Sequence, residues 1–214
     1  MASVSLPRQE GHRPPPASFD YDPCLSGFAI SKKQWLHDHH SPLDGICTGA
    51  VVFDATGRRV LLVQRASHDS MPNRWEVPGG AVDDEDANIL HSAARELWEE
   101  AGLVAVRFRR LVPDSSSGDE DDEGGASSSA VGHLFTNRDG SRTYCRFSFW
   151  VEVESCAEVR LDPNEHQAYV WASEEEIRTQ RIGEREMPIT TPVVRETILR
   201  AFRIRAQDEG KESF

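Results

Sequence analysis

Residues Gly79 to Leu103 read GGAVDDEDANILHSAARELWEEAGL, and the nine from Arg95 to Leu103, RELWEEAGL, decide how the rest of the chain is read. On a helical projection of about 100° per residue with Arg95 at zero, Glu99 falls at about 40°, Glu96 at about 100° and Glu100 at about 140°. Leu90, Ala94, Leu97 and Ala101 cluster between roughly 200° and 260°. One face is acidic and the opposite face is apolar, as a helix with one side against a core requires. Arg95 and Glu99 also make an ordinary i,i+4 pair, so the charge pattern by itself leaves solvated decoration and a built site equally open. Its surroundings shift the balance. Gly79 and Gly80 after Pro78 form a permissive turn, Asp83, Asp84, Glu85 and Asp86 load the helix start with acids, and Gly102 stops it.

Three clustered carboxylates repel one another unless a cation neutralises them, and oxygen-only ligands suit Mg2+ or Mn2+ rather than zinc. Magnesium binds through a few carboxylates together with substrate phosphates. The chemistry this favours is attack of water on a phosphoryl group, with the ion stabilising charge on the phosphate oxygens.

The stretch Gly80 to Leu103 resembles the Nudix box, the signature of hydrolases that cleave a nucleoside diphosphate linked to another moiety. That pattern runs G, five residues, E, seven residues, then REUXEEXGU with U aliphatic, and the second half is matched here at every specified position. The first half departs from it. Gly80 and Arg95 are fifteen apart rather than fourteen, Ala87 occupies the place of the glutamate, and Asp86 is the candidate stand-in.

The resemblance implies an α/β fold, a Nudix-type α/β/α sandwich with a mixed sheet. It also implies a pyrophosphohydrolase that uses Mg2+, with Mn2+ as an alternative, on a small nucleotide-type substrate. Glu96, Glu99 and Glu100 would hold metal, the Gly79 carbonyl would add a ligand, and Arg95 would orient the glutamates. Glu165, in Asn164-Glu165-His166, resembles an outlying acid used as a further ligand or general base; an exposed loop glutamate is the equal alternative, and His166 reads as a polar neighbour. Arg65 and Arg146 would contact phosphates if they face the cleft, and Trp75, Phe147 and Trp150 would stack on a base if they do not fill core. The wider family handles ADP-ribose, dinucleoside polyphosphates, NADH, oxidised nucleotides and inositol pyrophosphates, and this sequence does not choose among them. A catalytically silent nucleotide-binding module is the alternative reading. Messenger-RNA decapping ranks behind both, because the composition offers no basic RNA track.

At 214 residues the chain can bury one substantial core, although 38% hydrophobic content says that sizeable parts are solvated. A mean hydropathy of -0.54 agrees. No apolar run approaches the length of a membrane span, and the N-terminus lacks a signal-peptide core, so a soluble cytoplasmic protein is expected, with nuclear access open. Cys24, Cys47, Cys145 and Cys156 are far apart without a CxxC, which favours reduced structural thiols. The net charge of -12 argues against non-specific binding to nucleic acid or anionic membrane. Half of that excess lies in Asp114, Asp119, Glu120, Asp121, Asp122 and Glu123, within a serine-, glycine- and acid-rich tract. It reads as a disordered loop at about 113–130.

Around this loop the pattern is mixed α/β. Ile46 to Phe53 and Arg59 to Arg65 read as a hairpin across Asp54-Ala55-Thr56-Gly57, and Val104 to Val112 as a third strand. Val131 to Thr136 and Arg142 to Glu154 flank the turn Asn137-Arg138-Asp139-Gly140-Ser141. Gln167 to Trp171 is a short strand, Ser173 with Glu176 a capping box, and Thr191 to Arg205 a terminal amphipathic helix. A disordered tail is expected over 1–20, one domain over 21–207 and a second tail over 208–214. Tyr21 to Pro42 is a loosely defined lead-in in which Ser31 caps a short helix over Trp35. That lead-in and the terminal helix would be able to support a homodimer.

Overall fold

The computed structural model describes residues 18–113 and 132–212. The acidic tract falls outside them. In chain order the elements are β1 (Asp20–Tyr21), a 3-10 turn (Pro23–Phe28), α1 (Lys32–Asp38), β2 (Gly45–Val52), β3 (Arg59–Arg65), β4 (Trp75–Glu76), α2 (Ile89–Ala101) and β5 (Ala105–Val112). They continue with β6 (His133–Thr136), β7 (Thr143–Val153), β8 (His166–Ser173), α3 (Glu174–Thr179), β9 (Arg181–Ile182), β10 (Arg185–Glu186) and α4 (Pro192–Glu212).

β2 and β7 form the spine of a mixed sheet. They run parallel from Gly45↔Tyr144 to Val52↔Val151, and on its other side β7 pairs antiparallel with β5 and, further along, with β6. β1 extends this sheet by running parallel to β5. β2 is buried along nearly its whole length because both of its faces are covered. Ile46, Ala50 and Val52 with Phe147, Phe149 and Val151 pack on Ile89, Leu90, Ala93 and Leu97 of α2. The opposite face, with Val51 and Trp150, packs on Ile177 of α3 and Val194, Ile198 and Leu199 of α4. The chain is thus an α/β/α sandwich with a core on each side of its sheet layer.

The expected hairpin of the first two long strands does not form as a ladder. β3 leaves β2 after a single Phe53↔Val60 bridge and builds a separate antiparallel sheet, ordered β4-β3-β8. The reason is β3 itself: Leu61 joins the first core while Val60 and Leu62 join the second. A strand apolar on both faces can end one sheet and start another within the same layer. The β6–β7 hairpin forms across its turn with Gly140 at φ 72°, and Ser173 and Glu176 make the reciprocal capping box of α3.

The lead-in is more structured than its composition suggests. Phe19 packs on His91 and Phe108, Leu25 is buried, and Ser31 caps α1 by accepting from the Gln34 amide. At the other end, α4 continues through residues 208–212, and Asp208 accepts from Arg110 at 2.8 Å. All four cysteines are free thiols. Among the described residues, no helix is long and apolar enough to cross a membrane.

Candidate active site

β4 delivers the chain into the turn that carries the site. From Pro78 onward the backbone runs against β2, with Ala50 donating to the Pro78 carbonyl and Thr48 to the Gly80 carbonyl, both at 2.8 Å. Gly79 adopts φ 153°, and a Cβ there would lie 2.2 Å from the Thr48 carbonyl oxygen, so only glycine fits. Gly80 has a different neighbour: a Cβ would meet the Glu96 carboxylate at 2.7 Å. The glycine pair therefore brings the backbone against β2 on one side and against the helix acids on the other.

α2 starts later than the acid run implied. Asn88 caps it, accepting from the His91 amide at 2.9 Å, and no acid occupies its first turn. The acids lie in the preceding loop, where Asp84 pairs with Lys32 and Lys33, while Asp86 reaches Arg95. Gly102 ends the helix in the left-handed region at φ 69°.

Arg95 is the hub of the acidic face. Its Nε and Nη2 both donate to the Asp86 carboxylate at 2.9 Å, Nη1 donates to Glu96 at 2.8 Å and Glu99 at 3.0 Å, and Nη2 also reaches the Ala81 carbonyl. Asp86 thus anchors the arginine rather than joining the glutamates, from a position one residue earlier than the resemblance expects. Glu100 is buried, and its Oε2 accepts the Gly79 amide proton at 2.6 Å. Burial, together with Glu96, Glu76 and Glu165, pushes its carboxyl well above the usual range despite that hydrogen bond. Burial likewise raises Glu96 to about 7, the neighbouring Glu99 and Glu165 adding to the shift and Arg95 opposing it. Glu99 is half-exposed.

A cleft of about 320 Å³ opens beside this face, lined by Arg65, His68, Asp69, Glu100, Glu165 and His166. Glu165 comes to it on a loop whose backbone is held by Ala66 and Asp162. One ligand atom from each of Glu100, Glu165 and His166 lies within 4.8 Å of the others. His166, the polar neighbour of Glu165, is buried, with Nε2 3.9 Å from Glu76 and no hydrogen-bond partner at Nδ1 among the described residues.

Beneath the cleft floor lies Glu76, which the sequence reading passed over. Burial alone would raise its carboxyl, but His166, Arg146 and Arg65 together hold it below the usual range. Arg65 pairs with both Glu76 and Asp69 and donates to the Ser70 carbonyl, so its guanidinium is bound within the protein. Arg146 lies 4.0 Å from the Glu76 Oε2, the carboxylate oxygen that Arg65 does not engage. Trp75 is tied by its backbone to Pro188 and Thr190 at the edge of the second core, and Phe147 and Trp150 are core residues. Strand alternation was the available signal for Glu76: in Trp75-Glu76-Val77 the glutamate faces opposite to its neighbours.

The donors gathered here are mostly carboxylate oxygens that repel one another, with the His166 imidazole beside them, and carboxylate oxygens fit a hard divalent cation. The fold is thus a mixed-sheet sandwich that holds an acidic helix against a glycine turn. The chain belongs to the NUDIX domain family, whose model matches residues 44–190.

Among curated proteins it is 36% identical over 104 residues to the m7GpppN-mRNA hydrolase NUDT17 of Bos taurus, covering 48% of this chain and 31% of that protein. It is 39% identical over 66 residues to the RNA pyrophosphohydrolase of Bartonella tribocorum, covering 28% and 37% respectively. The chain thus spans about a third of the length of the curated relatives it matches. Of solved structures, the NUDIX domain of Shewanella oneidensis NrtR complexed with ADP ribose aligns with a TM-score of 0.54 at 17% identity, over 83% of this chain and 99% of that one. The MutT protein of Methanosarcina mazei Go1 aligns at 0.52 and 21% identity, over 76% and 95%. At such identities these structures share the fold.

Proposed function

We propose that this chain hydrolyses a pyrophosphate linkage in a nucleotide derivative with Mg2+, with Mn2+ able to replace it. The observation that carries the reading is the meeting of Glu100 and Glu165 at one cleft, beside Glu96 and Glu99 on the arginine-clamped face of α2. Glu96, Glu99 and Glu100 would hold the ion, with Gly79 contributing from its carbonyl. When bound, such an ion neutralises phosphate oxygens and lowers the pKa of water.

The chain's own groups supply the rest. Gly79 fixes the Glu100 carboxylate through its amide, and Arg95 holds Glu96 and Glu99 in place by charge-assisted hydrogen bonds. Glu165, exposed at the rim, accepts the proton from the attacking water. Arg146, 4.0 Å from Glu76, contributes positive charge behind the cleft through that carboxylate. The two relatives named for mRNA-cap and RNA hydrolysis favour a substrate in which the pyrophosphate joins a nucleotide to something larger.

The test is turnover of a panel of nucleoside diphosphate derivatives and 5′-phosphorylated RNAs with Mg2+, products read by mass spectrometry. Glu99→Gln and Glu100→Gln should each lower kcat by at least about a hundredfold while leaving the fold intact, the scale on which removing a key charge-stabilising group acts. Unchanged rates in both variants, or no turnover of any substrate, would reject the reading.

A further inference from the structure

The face of β7 that points away from α2 carries Tyr144, Arg146, Ser148 and Trp150 at alternate positions, with Arg142 just before the strand. At its Trp150 end this face is buried against α4, while at its Tyr144 end it is half-exposed. Strand pairing sets two rows across it. Phe135 of β6, Tyr144 and Gly45 of β2 form one, and His133, Arg146 and Cys47 form the other.

The rings in these rows are nearly parallel. Phe135 and Tyr144 lie 5.6 Å apart at 22°, and His133 and Phe135 lie 6.1 Å apart at 18°. The rings of the two cores instead meet mostly edge to face, as Phe28 does with Phe149 and Phe53 with Trp150. The glycines of β2 make the flat arrangement possible. A Cβ at Gly45 would lie 3.0 Å from the Tyr144 ring, and one at Gly49 3.0 Å from the Arg146 guanidinium. The Tyr144 ring therefore lies over Gly45 and the Arg146 guanidinium over Gly49, with Cys47 between the two glycines. Arg142 stands at one end of the surface, close enough to the Tyr144 hydroxyl to be influenced by it. Arg146 stands at the other, against Glu76, which in turn meets His166 of the carboxylate cleft.

We infer that this aromatic and arginine face of β6, β7 and β2 is a stacking platform for the unpaired nucleotides of a single nucleic-acid strand whose 5′ pyrophosphate lies in the cleft. The inference rests on the hydrolase reading for the location of the pyrophosphate. Parallel, half-exposed rings accept bases of any identity, and interleaved cations accept the phosphates between them. A mononucleotide would occupy one ring. Three rings with an arginine at either end suit a strand that continues beyond its first base. The net charge of -12 is no obstacle, because half of it lies in the acidic tract and the charge that faces the strand is local. With two arginines engaged, the salt dependence is shallow: log affinity falls against log salt with a slope of roughly -1.4, at about -0.7 per neutralised phosphate.

The test uses the full chain in EDTA and a 3′-fluorescein hexaribonucleotide bearing a 5′-triphosphate, followed by anisotropy. Phe135→Ala and Tyr144→Ala should each weaken binding about 5- to 150-fold, the range for losing one base stack, whereas Tyr144→Phe keeps the ring and should stay within about threefold. Gly45→Val, which places a side chain against the ring, should weaken binding without touching either arginine. With Mg2+, Tyr144→Ala should raise KM for the hexanucleotide, keep kcat within about twofold and leave KM for a nucleoside diphosphate unchanged. Binding by both alanine variants equal to that of the unaltered protein overturns the inference, as does an equal rise in KM for the mononucleotide, which would make the face a simple base pocket. If the alanine variants lose binding yet no substrate turns over, the platform stands and the hydrolase reading fails.

Discussion

Arg95 and Asp86 show how a departure from a motif can be absorbed by geometry. The Nε and Nη2 of one guanidinium edge engage Asp86, whose side chain is almost wholly buried, so truncating the acid strands part of a largely buried cation. Asp86→Ala should cost about 2–3 kcal/mol in urea unfolding, on the scale of hydrogen bonds to charged groups, and an unchanged midpoint would refute the anchoring role. Glu96 gives a pH dependence of definite sign. Its carboxyl titrates at about 7 in the folded chain against 4.5 ordinarily, so between those values the native state holds a proton that the unfolded chain releases. Stability from this group is full below about pH 4.5 and is lost as pH rises through about 7. Metal-free protein should therefore melt lower at pH 8 than at pH 5.5, and Mg2+ should raise Tm more at pH 8, where the ligand is ionised. Calorimetry in EDTA and in Mg2+ checks this, and equal Mg2+ effects at both values would contradict it. The same scale marks where sequence reading ran short. Glu96, Glu99, Glu100 and Arg95 share one helix and were legible from periodicity, whereas Glu76 and His166 come from separate strands and meet only through the β3–β4 and β3–β8 pairings.

Elements were legible where local chemistry sets them. Ser31, Ser173 and Gly102 terminate helices as their side chains or freedom at positive φ dictate, and the turn through Gly140 closes its hairpin. The parting of β2 from β3 was not legible, because nothing within Gly45–Arg65 says that alternate residues of β3 serve two cores; that follows from α2 and α4, which arrive much later in the chain. The turn joining β4 to α2 separates fold from site at adjacent residues. Gly79→Ala must push a methyl into the β2 backbone at a φ that alanine avoids, so the variant should lose about 2 kcal/mol or more of stability. Gly80→Ala meets the far end of a flexible glutamate instead. It should fold with a near-normal Tm while Mg2+ affinity, read as the Mg2+-dependent rise in Tm, drops about tenfold or more, as for groups that orient metal ligands. If both variants behaved alike, the two glycines would not have the distinct roles that their neighbours assign.

At the level of the molecule, the family match begins at residue 44, but the first core does not. Leu25 is 1% exposed within it, Phe28 lies edge-on to Phe147 at 4.9 Å and to Phe149 at 5.2 Å, and Trp35 covers Phe147 at 5.1 Å. Those two phenylalanines stand on β7, whose opposite face carries Tyr144 and Arg146, so the lead-in supports the strand that supplies both the second core and the proposed platform. β1 and the Asp22 to Arg107 ion pair tie the same segment to β5, and Lys32 reaches the Val82 carbonyl at 2.7 Å next to the acidic loop. The lead-in is therefore a structural layer, hidden in the sequence because its apolar residues are too widely spaced to form a periodic stripe. Leu25→Ala should destabilise the chain by about 2–5 kcal/mol, the usual cost of truncating a buried leucine. Removing residues 1–43 should have a larger effect, exposing Phe147 and Phe149 together and giving a protein that binds hydrophobic dyes and unfolds without a sharp transition. The two measurements are coupled: if the truncated chain melts as cooperatively and as high as the full one, the lead-in is an ornament on the sandwich, and the loss at Leu25 would have to be small as well.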